Sequence, residues 1–293
     1  MNILVTGGAG YVGSNLIKRL NNDPNIKLIT SLDNYFNGYS KNHIESEKIT
    51  YIKGDTKDIF KIFEKNTFDI IYHFGEYSRI AFSFEDIDIV QDSIVTGTYN
   101  ILKFALTNNS KFIYSASSSK FGNNGKDENL SPYAFFKSKN VELIKNFHIW
   151  FNLQFEICYF FNVYGGNHVK NGKYATVIAI FEKQFVNNEP LTVVYPGDQT
   201  RDFTHVDDIC NGLLKISDMN LNYEYHLRFG KNYPIMDVAK KFSDKIKLVG
   251  ERKGERFVSE DFVSDTEDIL KWKAKVELYD YIENFKKSRL KIN

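Results

Sequence analysis

The residues of this chain best suited to chemistry are a serine run and a tyrosine–lysine pair a short link apart. The run is Ser115-Ala116-Ser117-Ser118-Ser119. The pair is Tyr133 and Lys137, within Ser131-Pro132-Tyr133-Ala134-Phe135-Phe136-Lys137. Four residues apart on a helix, a phenol and an ammonium share one face. The cation favours the phenolate. Tyr133 is therefore a candidate general base near neutral pH, and a serine hydroxyl from the preceding strand end can hydrogen-bond the reacting oxygen. Tyr-x-x-x-Lys alone is a common accident of amphipathic helices, so its weight comes from what surrounds it.

A second constellation lies at the N-terminus, in Thr6-Gly7-Gly8-Ala9-Gly10-Tyr11-Val12-Gly13. Gly7, Gly10 and Gly13 follow an apolar strand and open a helix. Such a turn lets a pyrophosphate approach the backbone and meet the free N–H groups and positive dipole of the helix start. Asp33 follows Gly13 by about 20 residues, at the end of the second strand, where a carboxylate accepts both ribose hydroxyls of an adenosine. No arginine neighbours Asp33 to receive a 2′-phosphate, which favours NAD over NADP. Asp55, in Gly54-Asp55 after the third strand, is placed to contact adenine.

The elements that must position these groups alternate in period. Apolar strand runs are expected at 3–6, 28–32, 50–52, 70–74, 112–115 and 155–161. Helices are expected from residue 11, over 86–106 and from Ser131-Pro132. Later come helices near 175–187, 236–246 and 278–290, a strand at 191–195 and a Pro196-Gly197-Asp198 turn. This order predicts an α/β fold, a Rossmann-type doubly wound parallel sheet with a smaller α/β substrate-binding lobe at the C-terminus. Residues 1–165 are expected to form the NAD-binding domain, with 204–230 returning to it, and 166–203 with 231–293 the lobe.

With 293 residues and a formal net charge of +1, the chain has core enough for this and no basic stripe for nucleic acid or an anionic membrane. No apolar run approaches the roughly 18 residues of a membrane span, and no signal peptide precedes the first strand, so a cytoplasmic protein is expected. Cys158 and Cys210 read as buried thiols. His168 and His205 lack metal-ligand spacing, so no metal is expected. His73 reads as a strand-end histidine satisfied by backbone groups.

At these motifs the chain resembles the extended short-chain dehydrogenase/reductases, specifically the NAD-dependent nucleotide-sugar epimerase/dehydratase branch. The likeness runs through TGGAGYVGSNL (6–16), LDN (32–34), SPYAFFKSK (131–139), FNVYGG (161–166) and PGDQTRDFTHVDDI (196–209). The last is the most specific to sugar nucleotides. The resemblance implies Ser117 as the catalytic serine, counted back from Phe121-Gly122, ahead of Ser118 and Ser119. It implies Tyr133 as base and Lys137 as a ligand of the nicotinamide ribose too. Tyr11, Val12 and Asn34 should line the cofactor, and Phe74 and Gly75 should lie beside the nicotinamide. Asn162 and Arg201 should hold the substrate diphosphate, as should Arg252, for which Arg256 competes. A homodimer through the Tyr133 helix and the long helix before it is the family expectation.

Departures from the family pattern narrow the reaction. Dehydratases of the branch carry carboxylates where this chain has Ser118 and Ser119. That leaves hydride and proton transfer at C4 of the sugar of a nucleoside diphosphate. The expected activity is a 4-epimerase working through a transient 4-keto sugar with tightly held NAD. A 4-dehydrogenase or 4-ketoreductase is the alternative, and a non-catalytic NAD-binding protein the least favoured. After the fourth strand the family's His-Leu-Ala-Ala becomes His73-Phe74-Gly75-Glu76-Tyr77-Ser78-Arg79. Glu76 and Arg79 are thus candidates for substrate contacts or for a base beside C4 or C5, against the plainer reading of an ion pair that orders the loop. Ile94 replaces an Asn of the family, removing one cofactor contact.

Overall fold

The computed structural model describes residues 1–64, 67–122, 126–169, 172–257 and 264–290. Seven parallel strands form the central sheet: β1 (Asn2–Thr6), β2 (Leu28–Asp33), β3 (Ile49–Lys53), β4 (Ile70–His73), β5 (Lys111–Ser117), β6 (Phe155–Phe160) and, after two strands of another region, β9 (Glu224–Leu227). Their spatial order is β3-β2-β1-β4-β5-β6-β9. Helices cover both faces, so alternate residues of β1 enter two cores. Ile3 and Val5 pack with Leu16, Ile209 and Leu213. Leu4 packs with Leu32, Ile101, Phe112 and Ile144. This two-sided burial is why the strands read as continuous apolar runs.

Strand order reverses between β1 and β4, and in such sheets ligands bind beyond the carboxyl ends at the reversal. Two segments meet there: the Gly7–Gly13 turn after β1 and the loop 74–79 after β4. The third participant arrives on the helix Pro132–Phe151. Ser131 caps it, its Oγ accepting the Ala134 N–H at 3.1 Å with Pro132 in the first turn, as such caps do. Asn152 ends it in the left-handed conformation at φ 57°. The buried stripe of this helix includes Ala134, Lys137, Val141 and Ile144. Lys137 therefore occupies a core-facing position, and its ammonium must find partners inside the protein.

The long helix expected over 86–106 is present but not uniform. It runs as Ile87–Val90, a π-helical stretch Gln91–Gly97 and Thr98–Asn108. The wider turn releases the Ile94 carbonyl, which accepts from Asn140 Nδ2 at 2.7 Å.

Beyond residue 160 the structure holds strands that the sequence pattern does not display. The strand at 191–195 is β7 (Leu191–Val194), paired in parallel with β11 (Ile246–Val249). β8 (Thr200–Asp202) pairs antiparallel with β10 (Asn232–Pro234). The helix expected over 236–246 ends earlier, as Ile235–Phe242, because Ile246 is drawn into β11. These pieces share a core of Tyr164, Phe181, Val193, Phe203, Phe242 and Ile282. β9 and the helix Val206–Ser217 return to the large sheet. No helix among the described residues is long and apolar enough to cross a membrane.

Candidate active site

A cavity of about 580 Å³ opens over the carboxyl ends of β1, β4 and β5. At its cofactor end the walls are backbone. Gly7 has φ +70°, and a Cβ there would lie 2.7 Å from the Phe74 carbonyl carbon. A Cβ on Gly13 would lie 2.3 Å from the Gly7 oxygen. These contacts pack the turn, the helix start and the β4 loop against one another, leaving the N–H groups of the first helical turn unshielded by side chains. Gly10 is the N-cap of Tyr11–Leu20 and offers no side-chain acceptor to those donors. Tyr11 and Val12 line the cavity, but the Tyr11 ring turns away toward His168, 6.1 Å between centroids. What Tyr11 offers a dinucleotide is its backbone.

Asp33 sits at the end of β2, buried, with Oδ2 accepting from Ala9 N–H at 3.0 Å and Oδ1 from Tyr35 N–H at 2.8 Å. Burial raises its pKa, while the amides of Tyr35, Ala9 and Gly10 pull the other way. Asn34 Nδ2 donates to Asp55 Oδ2 at 2.9 Å, joining two of the expected cofactor residues. A Cβ on Gly38 would stand 2.9 Å from both Asp33 oxygens, so Gly38 keeps that carboxylate open. A glycine within a loop gives no sequence signal for such a role. The cradle of bare backbone and the exposed edge of a buried acid fit a dinucleotide.

At its other end the walls are side chains. Ser117, Tyr133 and Lys137 all line the cavity. Ser117 Oγ accepts from Ser119 N–H at 3.2 Å and Ser119 Oγ at 2.9 Å. Its own proton is thereby left to donate into the cavity. Ser118 and Ser119 are buried. Tyr133 packs against Tyr77, Val90 and Ile94.

Lys137 is 5% exposed and pairs with Glu76, itself 3% exposed, and its Nζ also donates to the Ser115 carbonyl. Glu76 Oε1 accepts from Thr98 Oγ1 at 2.5 Å, Tyr114 OH at 3.1 Å and Asn140 Nδ2 at 3.2 Å. Glu76 lines the cavity, and four groups already take up its two oxygens. The plainer alternative, an ion pair, is what forms, but with Lys137 rather than Arg79. The partners were partly legible, since Asn140 lies three residues beyond Lys137 on the same helical face.

The network has a direction. Thr98 gives its proton to Glu76, so it accepts from His73 Nε2 at 2.9 Å. His73 Nδ1 is then the acceptor for Thr6 Oγ1 at 2.7 Å, and Thr6 in turn accepts from Gly75 N–H at 3.1 Å. His73 is thus satisfied by two threonine hydroxyls and not by backbone groups. Burial lowers its pKa to about 4, consistent with the neutral ring this chain of donors requires.

The remaining expected residues line the same cavity. Asn162 Nδ2 donates to the Asp202 carbonyl at 2.8 Å. Arg201 pairs with Glu255. Arg252 is exposed, whereas Arg256 is buried and donates to the Ser118 carbonyl at 2.6 Å. Burial lowers the pKa of Arg201, and that of Arg256 to about 10. The competition between Arg252 and Arg256 resolves into one rim cation and one interior cation.

A reversal-point cradle for a dinucleotide, facing a phenol and a serine hydroxyl, defines an NAD-dependent enzyme on a Rossmann-type fold. Comparison places it more finely: the chain belongs to the NAD dependent epimerase/dehydratase family, whose pattern matches residues 3–225. It is 30% identical to a putative UDP-glucose 4-epimerase of Methanocaldococcus jannaschii, over 96% of each chain. It is 24% identical to UDP-glucuronic acid decarboxylase 3 of Arabidopsis thaliana, over 100% of this chain and 90% of that one. The structure of UDP-N-acetylglucosamine 4-epimerase from Methanobrevibacter ruminantium M1, in complex with UDP-N-acetylmuramic acid, superposes with a TM-score of 0.85 at 25% identity. That match covers 98% of this chain and 96% of the other.

Proposed function

We propose that this protein is a nucleotide-sugar 4-epimerase. The observation that carries the reading is the pairing of Tyr133 and Ser117 across one cavity, with serines at the two positions after Ser117. Bound NAD supplies the acceptor for hydride from C4 and, reduced, the donor that returns it. As a phenolate, Tyr133 takes the C4 hydroxyl proton, and as the resulting phenol it gives that proton back. Ser117, its oxygen already accepting two bonds from Ser119, donates its proton to the sugar oxygen as that oxygen gains charge. Asn162 with Arg201, Arg252 and Arg256 forms a polar and cationic wall suited to a diphosphate. Glu76 is locked, and residues 118 and 119 are serines, so the carboxylate chemistry of a dehydratase has no group to perform it at those positions. The M. jannaschii relative favours the same reading.

The outward faces of Thr98–Asn108 and Pro132–Phe151 carry exposed Tyr99, Phe135, Ile149, Trp150 and Phe151, which supports a homodimer through those helices.

The test is turnover of a panel of UDP, dTDP and GDP sugars with NMR analysis of the product. A C4-inverted sugar without net NADH is expected. A stable keto sugar with one NADH per turnover would replace the epimerase with a 4-dehydrogenase. Tyr133→Phe is expected to lower kcat by about 10³-fold while NAD still binds.

A further inference from the structure

The β4 loop carries two opposite charges, and they do not meet. Glu76 turns inward to Lys137, while Arg79 faces the cavity with Tyr133. Arg79 Nη1 donates to the Ser78 carbonyl at 2.9 Å and Nη2 to the Tyr174 carbonyl. Its Nε is shut off from solvent and has no partner. Among the described residues no carboxylate pairs with it. Its electrostatic neighbours are the phenols of Tyr133, Tyr77 and Tyr174. The acid nearest to this group of tyrosines, Asp86, is already held by Lys173 at 2.7 Å, Tyr77 OH at 2.8 Å and Tyr174 OH at 3.2 Å. Burial lowers the Arg79 pKa to about 10, so the group remains a cation at neutral pH, with neutral oxygens for company.

A half-buried guanidinium, its Nε shut off from solvent and its charge balanced by no anion, favours a ligand that brings the anion. Two anions of the bound state have other receivers. The cofactor pyrophosphate belongs to the Gly7–Gly13 turn. The substrate diphosphate belongs to Arg201, Arg252 and Arg256, none of which shares a partner with Arg79. What remains beside Tyr133 is the sugar ring itself. We propose that Arg79 reads an ionised carboxylate on that ring, so that the substrate is the nucleoside-diphosphate derivative of a uronic acid. A carboxylate offers the planar pair of oxygens that a guanidinium fork matches. The aromatic surroundings of Tyr77 and Tyr174, their rings 6.0 Å apart, keep the local dielectric low and strengthen the pairing. This deepens the nucleotide-sugar reading above and rests on it.

The experiment measures binding to the NAD-loaded full chain by calorimetry, using UDP-glucuronate against UDP-glucose and GDP-mannuronate against GDP-mannose. UDP and GDP alone serve as controls. In at least one pair the acid is expected to bind about tenfold or more tightly than its neutral partner, as a charge-assisted contact implies. Arg79→Gln should erase that preference while changing neutral-sugar affinity by less than about threefold. Arg79→Lys, which keeps charge without the fork, should retain part of it. Equal affinity for acid and neutral sugars, or an Arg79→Gln variant that weakens both alike, overturns the proposal and leaves the nucleotide-sugar reading standing. Failure of every nucleotide and nucleotide sugar to bind, with NAD loaded normally, overturns that reading and this one with it. Melting of each NAD-loaded variant checks that Arg79→Gln is folded.

Discussion

The two ends of the cleft are built from different materials. The cofactor end is backbone: glycines in close contact, free amides at a helix start and one buried acid. The other end, proposed to take the sugar, is side chains, a fully paired network running from Gly75 through Thr6, His73, Thr98 and Glu76 to Lys137. A backbone site tolerates no added volume, whereas a side-chain network tolerates no lost partner. Each end therefore fails in its own way, and substitutions at each sharpen the contrast.

The largest effect is expected at Glu76. Glu76→Ala leaves the Lys137 ammonium buried without a counter-charge, and removing one partner of a buried pair costs about 3–5 kcal/mol. Urea unfolding should show that loss. A Glu76→Ala/Lys137→Met double variant should be more stable than Glu76→Ala alone, because the stranded charge is gone. If the double variant is no more stable, the pair is not what holds this end together.

A smaller effect is expected from pH. The His73 pKa lies near 4 in the folded chain against an ordinary 6.5. Between those values the unfolded chain binds a proton that the folded one refuses, so stability rises with pH across that window. It is lost as pH falls from about 6.5 to about 4, and the contribution is about 3 kcal/mol at most for a shift of this size. His73→Gln can donate to Thr98 and accept from Thr6 but cannot titrate. Its stability–pH curve should be flatter than that of the parent over this window, the other acid-sensitive groups being common to both. Parallel curves would mean that His73 does not carry the dependence.

The contrast also explains what the sequence disclosed. Gly7, Gly10, Gly13 and Asp33 were legible because a backbone site demands particular residue types at fixed spacing along one stretch of chain. The burial of Lys137 was implicit in its register with Ala134, Val141 and Ile144, yet its partner was not, since Glu76 and Lys137 are brought together only by the packing of the β4 loop on the later helix. The same holds for Arg256 beside Ser118 and for the threonines around His73: each contact is made by side chains far apart in sequence. The π-helical stretch at 91–97 was hidden for another reason. Its residues are ordinary helix sequence, and the wider turn shows only in which carbonyl Asn140 finds free. β8 and β10 escaped because strands of three residues are too short to display a period, and β9 and β11 because charged or polar residues interrupt their apolar runs.

The smallest effect belongs to the cofactor end and tests the other half of the contrast. Gly13→Ala places a methyl 2.3 Å from the Gly7 oxygen, and that atom is backbone. The turn must shift by more than half an ångström, and overpacking of this kind costs about 1–3 kcal/mol of folded-state stability. Because the displaced atoms belong to the turn proposed to cradle the phosphates, NAD affinity should weaken as well, by about 10–100-fold. The apo protein should melt a few degrees below the parent, as that folded-state cost implies. Titration of the variant with NAD, alongside melting of both apo proteins, separates the outcomes. A large fall in apo stability with unchanged NAD affinity would show that the glycine turn serves the fold and leaves the cofactor to other residues.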